Sequence, residues 1–168
     1  LGHANAKVAV TRLAEAADPR AGDTAFAQLI AALAAYDAAD HATALGKLRP
    51  LAERGNAQAQ IYLGNLYNAG RGTAQNLTEA LSWFRRAADQ NHPEGQYLLG
   101  VAYQYGLGVT KDAGLAIGFY KLAAEQGHAP ARIDLGTIYL AGDGVPQNHG
   151  EAVRWFRAAA EGGHALGQ

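Results

Sequence analysis

The stretch AQAQIYLGNLYNAGRGTAQNLTEALSWFRRAADQNH, residues 57–92, decides the fold because the chain repeats it. A step of 36 residues carries Leu63-Gly64 onto Leu99-Gly100 and then onto Leu135-Gly136. The same step relates tyrosines, glycines, polar residues, aromatic pairs and alanines: Tyr67, Tyr103 and Tyr139; Gly70, Gly106 and Gly142; Gly72, Gly108 and Gly144; Asn76, Asp112 and Asn148; Trp83-Phe84, Phe119-Tyr120 and Trp155-Phe156; Ala88, Ala124 and Ala160. A period in this range is typical of a solenoid built from stacked units.

A fainter copy of the unit lies upstream. Stepping back 36 residues places Ala44, Ala52 and Gly55-Asn56 in register, but Trp83-Phe84 becomes Lys47-Leu48. A stacked array is expected to have an atypical terminal unit. The predicted organisation is an N-terminal segment (residues 1–23), a degenerate repeat (24–56), three full repeats (57–92, 93–128 and 129–164) and the start of a further helix (165–168), with residues 24–168 forming one solenoid domain.

Upstream of the full repeats, the pattern predicts three helices. A short helix from Lys7 to Ala17 would cap the array, and Asp18-Pro19 would stop it because proline disfavours the α conformation in the residue before it. An alanine-rich helix follows from Thr24 to Tyr36. The next runs from about His41 to Arg54.

Each full repeat is predicted to hold two helices, A and B. In the first repeat, helix A runs from about Ala57 to Ala69 and ends at Gly70, which tolerates a left-handed conformation. Helix B opens at Asn76, where Glu79 has the spacing of a capping box, as has Glu151 after Asn148. The predicted ends of the three B helices are Asn91, Gly127 and Gly163.

Composition excludes several function classes. Lys and Arg total 14 against 15 Asp and Glu, so no charge excess favours nucleic acid or an anionic membrane. The absence of Cys excludes thiolate chemistry. No run of 18 apolar residues exists, so no membrane insertion is expected. There is no Met either, and Leu1 to Ala6 either ends an export signal or is an arbitrary start. We expect a periplasmic or secreted location, with the cytoplasm as the alternative.

The repeated residues identify a family resemblance. The order Leu-Gly-x-x-Tyr, Gly-x-Gly, Asn or Asp, Ala, an aromatic pair, Ala-Ala and a final His resembles the Sel-1-like repeat, a relative of the tetratricopeptide repeat. The resemblance covers Ala57 to His164 closely and Thr24 to Asn56 loosely. It implies an all-α fold, a right-handed α-solenoid of antiparallel helix pairs, and proteins that act as adaptors or scaffolds, often in bacterial envelopes and secretion systems.

The sequence gives little support to catalysis, a metal or a cofactor. Gly70-x-Gly72 follows no strand and precedes no Lys-Ser/Thr pair, which favours a turn over a phosphate loop. His92, His128 and His164 recur at one phase but have no second ligand at helical spacing, which favours turn histidines over zinc ligands. Ser82, the only serine, lies inside helix B. We therefore predict a non-enzymatic protein with no cofactor and no metal.

A partner-binding groove is predicted from the family geometry, in which helix A lines the concave face. Its lining residues are then the helix A positions that packing does not use: Ile61, Asn65, Asn68, Tyr97, Val101, Gln104, Tyr105, Ile133, Thr137 and Leu140. The set is apolar and neutral, which suits an apolar peptide or an amphipathic helix. The structural alternative is that some of these residues only pack against neighbouring helices.

Three function classes remain open. The first is an interaction scaffold or adaptor that holds a protein or peptide partner in this groove. The alternative is a structural segment that self-associates end to end, because an open solenoid end leaves apolar surface uncovered. A hydrolase acting on cell-wall material is disfavoured, because the catalytic residues it requires are missing.

Overall fold

The computed structural model describes residues 24–165, and this part of the chain is helical with no strand. Eight helices follow one another: α1 (Thr24–Asp37), α2 (His41–Glu53), α3 (Ala57–Ala69), α4 (Leu77–Asp89), α5 (Pro93–Tyr105), α6 (Ala113–Glu125), α7 (Ala129–Ala141) and α8 (His149–Ala165). The fold is an all-α solenoid, as the repeat predicts. The predicted capping helix from Lys7 to Ala17 and the further helix start at 166–168 lie outside the described residues.

The chain divides into two compact units, with the division between Trp83 and Phe84 inside α4. In unit 1, α2 packs against both α1 and α3. The fully buried side chains there include Leu33, Leu48 and Leu63. In unit 2, α5, α6, α7 and α8 pack consecutively. Each unit thus has a core of aliphatic and aromatic residues between successive helices.

Glycines let the helices of unit 2 approach closely, as the small residues of the repeat predict. A Cβ on Gly100 would lie 2.6 Å from two ring carbons of Tyr120, and a Cβ on Gly136 would lie 2.6 Å from the ring of Phe156. Both distances are far below van der Waals contact. The rings of Tyr120 on α6 and Phe156 on α8 therefore occupy the space that glycine leaves on the A helix of the same repeat.

The helix ends follow the predicted punctuation. Gly70 ends α3 with φ 64°, in the left-handed region. Gly72 also has a positive φ, and a Cβ there would meet the His41 carbonyl at 2.6 Å. After α4 and α6, Asn91 and Gly127 adopt φ 61° and 89°. These residues turn the chain from one helix into the next.

Helix α8 is longer than predicted. The sequence predicts an end at Gly163, but the helical backbone continues to Ala165. A proline stands in the first turn of α5 and of α7, where it favours a new helix start, whereas residues 163–168 contain none. Glycine alone does not stop the helix here.

The N-termini of the B helices are capped, but not by the predicted capping box. Asn76 Oδ1 accepts from the Glu79 N–H at 3.0 Å, and Asn148 Oδ1 accepts from the Glu151 N–H at 3.0 Å. In the box, the Glu carboxylate would accept the N–H of the capping residue. That N–H instead donates to a tyrosine carbonyl of the preceding helix: Asn76 to Tyr67 at 2.9 Å and Asn148 to Tyr139 at 2.8 Å. The box prediction is therefore wrong in its second half.

A buried polar position links each A helix to its neighbours. Gln60 donates from Nε2 to the Ala52 carbonyl at 3.0 Å, and Gln96 accepts at Oε1 from Gln126 at 2.7 Å. The third repeat has Arg132 at this position. Its guanidinium donates to the carbonyls of Ala124 at 2.9 Å and Ala158 at 2.7 Å. The Arg side chain thus connects α7 to both α6 and α8.

Candidate functional site

The candidate site is a surface of unit 2 formed by the A helices of the second and third repeats. We call it the helix A face. It consists of four residues of α5 and four of α7: Tyr97, Val101, Gln104, Tyr105, Ile133, Asp134, Thr137 and Leu140. Seven of them belong to the predicted groove, and Asp134 is an addition.

Three large side chains of the helix A face are exposed. Tyr105 is 67% exposed, Ile133 48% and Leu140 45%. Thr137 is also exposed, and its hydroxyl donates to the Ile133 carbonyl at 3.0 Å. Because Tyr105 and Ile133 offer ring and methyl surface to solvent, they are suited to contact an apolar partner.

Tyr97 and Val101 are partly buried and pack against the core of unit 2. The Tyr97 ring lies 4.7 Å from the His128 ring and 5.7 Å from the Tyr120 ring, between centroids. Its hydroxyl is hydrogen-bonded to the Asp134 carboxylate. Tyr97 therefore packs against the core and also forms part of the helix A face. This agrees in part with the alternative that some predicted groove residues only pack against neighbouring helices.

Gln104 is held in place by a tyrosine. The Tyr120 hydroxyl donates to Gln104 Oε1 at 2.5 Å. Burial raises the pKa of Tyr120 above its ordinary value. One side of the Gln104 amide is thus occupied within the protein, and its NH₂ group is the end that could serve a partner.

Asp134 is the charged group that sequence reasoning missed. Its carboxylate is half-buried on α7, beside the exposed Ile133. Burial raises the pKa of Asp134, and the hydrogen bond from Tyr97 opposes that rise without cancelling it. Asp134 lies outside the ten predicted groove residues, whose neutral character stays a prediction. Its place one residue after Ile133 on a helix A was the available sequence signal.

The recurring histidines are turn residues with different partners. His128 caps α7: its Nδ1 accepts from the Ala131 N–H at 3.3 Å, while its Nε2 contacts Glu94 Oε2 at 2.8 Å. His92 precedes α5 without a side-chain cap, and burial lowers its pKa. Within residues 24–165 no group of three or more His, Asp or Glu residues could hold a metal ion. His164 lies beyond the residues whose side chains are described.

Unit 1 holds the three remaining predicted groove residues, and they differ in exposure. Ile61 is only 2% exposed, so it belongs to the core and not to an accessible surface. Asn65 and Asn68 are partly buried. The Ile61 prediction is wrong because an offset along the helix does not reveal how far neighbouring residues cover a given position.

The helix A face offers a partner apolar contact and hydrogen bonds. The serine of this chain, Ser82, does not belong to that face. Ser82 is on the surface of α4, where its hydroxyl donates to the Glu79 carbonyl at 2.8 Å. No base lies beside it among the contacts that the structure describes for this residue.

None of the helices described is long and apolar enough to cross a bilayer.

Comparison with protein families gives one match. The model of the Sel1 repeat matches the chain three times, at residues 57–92, 93–128 and 129–164. No match is found among curated proteins.

Solved structures give further matches. The chain is 33% identical to a Sel1 repeat protein from Oxalobacter formigenes, with a TM-score of 0.75 over 80% of this chain and 54% of that one. It is 44% identical to a protective antigen of uropathogenic Escherichia coli with an SLR fold, with a TM-score of 0.68 over 70% of this chain and 25% of that one. The chain thus spans about half the length of the first and a quarter of the second.

Proposed function

Because the chain belongs to the Sel1 repeat family, whose members are typically protein-interaction scaffolds, we propose that it is an adaptor that holds a partner segment against the helix A face. Sel1 repeats generally form a non-catalytic scaffold, and the proposal assigns this chain no reaction. The partner is a protein or peptide, bound by apolar contact and a few hydrogen bonds.

The observation that carries the proposal is the exposure of Tyr105, Ile133 and Leu140 on two successive A helices of one unit. Tyrosine gives a large contact area at low entropy cost, because only two side-chain torsions are fixed on binding. Beneath them, Tyr97 and Val101 pack on the core and hold the surface rigid. A rigid surface with exposed apolar groups favours binding, since little order has to be imposed on it.

Site-specific photo-cross-linking tests the proposal. A photoreactive phenylalanine analogue replaces Tyr105, and in a matched control it replaces Leu122, which is 47% exposed on α6. In the cells that produce the protein, we expect a discrete cross-linked species from position 105 and none from position 122. Equal labelling at both positions, or none at either, would contradict the proposal.

A second candidate is end-to-end self-association through α8. Tyr120 of the second repeat is fully buried, but Phe156 at the same position of the third is 37% exposed, and Val153 is 55% exposed. An apolar helix face of this kind favours contact with a second copy or with another repeat. Sedimentation over a concentration series tests it. Mass that rises with concentration, and no longer rises after Phe156→Glu, supports self-association, whereas a monomer throughout contradicts it.

We also propose that the protein works in a bacterial periplasm or outside the cell. The bacterial part of this proposal is supported by the similar structures, which come from bacteria. Cell fractionation tests this part. Recovery of the protein with cytoplasmic markers would overturn it without affecting the proposed binding surface.

A further inference from the structure

The helix A face contains one carboxylate, that of Asp134, and no basic residue. Helices α5 and α7 together contain two carboxylates, Glu94 and Asp134, and one basic residue, Arg132. The Arg132 guanidinium is occupied by the carbonyls of Ala124 and Ala158 on α6 and α8. It is therefore turned towards the neighbouring B helices and does not neutralise Asp134.

Other basic side chains of unit 2 are also engaged elsewhere. The Lys121 ammonium lies over the Tyr139 ring, 5.8 Å from its centroid, and Arg85 donates to the Tyr103 hydroxyl at 3.0 Å. Arg154 pairs with Glu151 at 3.3 Å. Among the described residues, neither Lys nor Arg forms an ion pair with Asp134. The titratable groups that interact with it are Tyr97, Tyr120 and His128.

An incompletely compensated carboxylate in a partly apolar surface is costly to the isolated protein. Burial disfavours its charged form, and one hydrogen bond from Tyr97 compensates only in part. A cation brought by a partner would offset that cost. In the partly dehydrated contact, the attraction between cation and carboxylate is stronger than in bulk water.

Aromatic side chains lie near the carboxylate. The ring of Tyr97, whose hydroxyl is hydrogen-bonded to Asp134, is partly exposed, and Tyr105, on the same helix, contributes to the raised pKa of Tyr97. Tyrosine rings attract a Lys or Arg cation over their faces. Ile133, which precedes Asp134 on α7, is 48% exposed and offers apolar contact to a residue next to such a side chain in the partner.

We propose that the helix A face recognises a basic segment: a Lys or Arg residue that meets Asp134 beside the rings of Tyr97 and Tyr105, flanked by apolar residues that contact Ile133 and Leu140. The inference rests on the proposed function and specifies its partner. Acidic segments are rejected, because they would bring like charge to Asp134. Binding weakens with added salt, because part of the attraction is between charges.

Selection from a library of random 12-residue peptides displayed on phage tests the inference. We expect the selected peptides to be enriched in Lys or Arg and depleted in Asp and Glu relative to the input library. Asp134→Asn keeps the shape and can still accept from Tyr97. This substitution should weaken the binding of the selected basic peptides by about tenfold, as measured in fluorescence anisotropy titrations. Versions of the same peptides with Lys replaced by Gln should bind equally to both proteins.

The matched control is Asp143→Asn, which removes an exposed carboxylate from the turn after α7 and should leave binding unchanged. Circular dichroism confirms that each variant is folded. Selected peptides without Lys or Arg enrichment that still lose binding on Tyr105→Ala would overturn the basic-segment inference but support the binding surface. Selected peptides that bind Tyr105→Ala and Ile133→Ala as well as the wild type would overturn the proposed function itself.

Discussion

The backbone N–H of Asp112 donates to the carbonyl of Tyr103 at 2.9 Å, and this bond joins the two helices of the second repeat. The same bond joins Asn76 to Tyr67 and Asn148 to Tyr139. This bond explains why the second repeat can have Leu115 where the other repeats have Glu79 and Glu151. No carboxylate is needed there, because the N–H already has an acceptor.

The capping contacts predict unequal effects of two substitutions. Asp112→Ala removes the acceptor of the Leu115 N–H, now bonded at 2.9 Å, and should lower the free energy of unfolding by about 1 kcal/mol. Glu151→Ala should change it by less than about 0.5 kcal/mol, since the carboxylate only pairs with the exposed Arg154. Urea denaturation measures both. Equal losses would restore the capping-box interpretation.

Two glycines offer a matched test of close packing. Gly100→Ala would place a Cβ 2.6 Å from the Tyr120 ring, and should destabilise the protein by about 1–3 kcal/mol. Gly118→Ala, in the exposed part of α6 with no atom within 4 Å of the new Cβ, should be neutral or stabilising by up to about 1 kcal/mol. Thermal denaturation compares them. A loss at Gly118 as large as that at Gly100 would contradict the packing argument.

Arg132 links three helices, so Arg132→Gln should destabilise unit 2. Glutamine is shorter and cannot reach the Ala124 and Ala158 carbonyls together. Loss of these charge-assisted bonds should cost about 1.5–3 kcal/mol. Hydrogen exchange is the sharpest measurement, because α6, α7 and α8 should all exchange faster. Arg157→Gln, on the exposed side of α8, is the control, and faster exchange there of the same size would refute the assigned role.

Asp134 predicts a pH dependence of stability. Its pKa in the folded protein is above the ordinary 3.8, so the folded state retains a proton over a range where the unfolded chain has released it. Protonation of Asp134 therefore stabilises the folded state below pH 3.8, and this stabilisation is lost as the pH rises through the pKa that Asp134 has in the folded protein. Asp134→Asn carries no charge and should raise the melting temperature at pH 7.

The stabilisation by Asp134→Asn should shrink as pH falls towards the ordinary Asp pKa, because both proteins are then uncharged at this position. Melting curves between acidic and neutral pH measure the difference. The exposed Asp143→Asn provides the baseline. A variant less stable than wild type at neutral pH would mean that the Tyr97 hydrogen bond to the charged form outweighs burial.

Most of the helix boundaries followed from local chemistry. Gly70, Asn91 and Gly127 turn the chain at the predicted places because glycine and asparagine tolerate the left-handed conformation better than other residues. Helix α8 passed its predicted end because Gly163 permits a turn without requiring one. The second bond of the capping box failed for a different reason, since the competing Tyr67 and Tyr139 carbonyls belong to other helices.

The binding surface was less predictable, because exposure depends on what surrounds a position. Ile61 and Ile133 occupy the same place in their repeats, yet Ile61 is 2% exposed and Ile133 48%. Asp134 was overlooked because its hydrogen bond to Tyr97 spans 37 positions, and only packing brings the two residues together. Sequence offset predicts which helices carry the candidate site, but it does not reveal that Asp134 and Tyr97 interact.

The hydrogen bond from the Asp112 N–H to the Tyr103 carbonyl joins two helices through backbone atoms alone. Peptide atoms are the same whatever residue carries them, so this joint between paired helices survives a change of neighbour on either side. Exposed positions such as 105 and 133 can then be exchanged to fit a new target without loosening the hairpins that carry them. The scaffold and its specificity can be engineered separately.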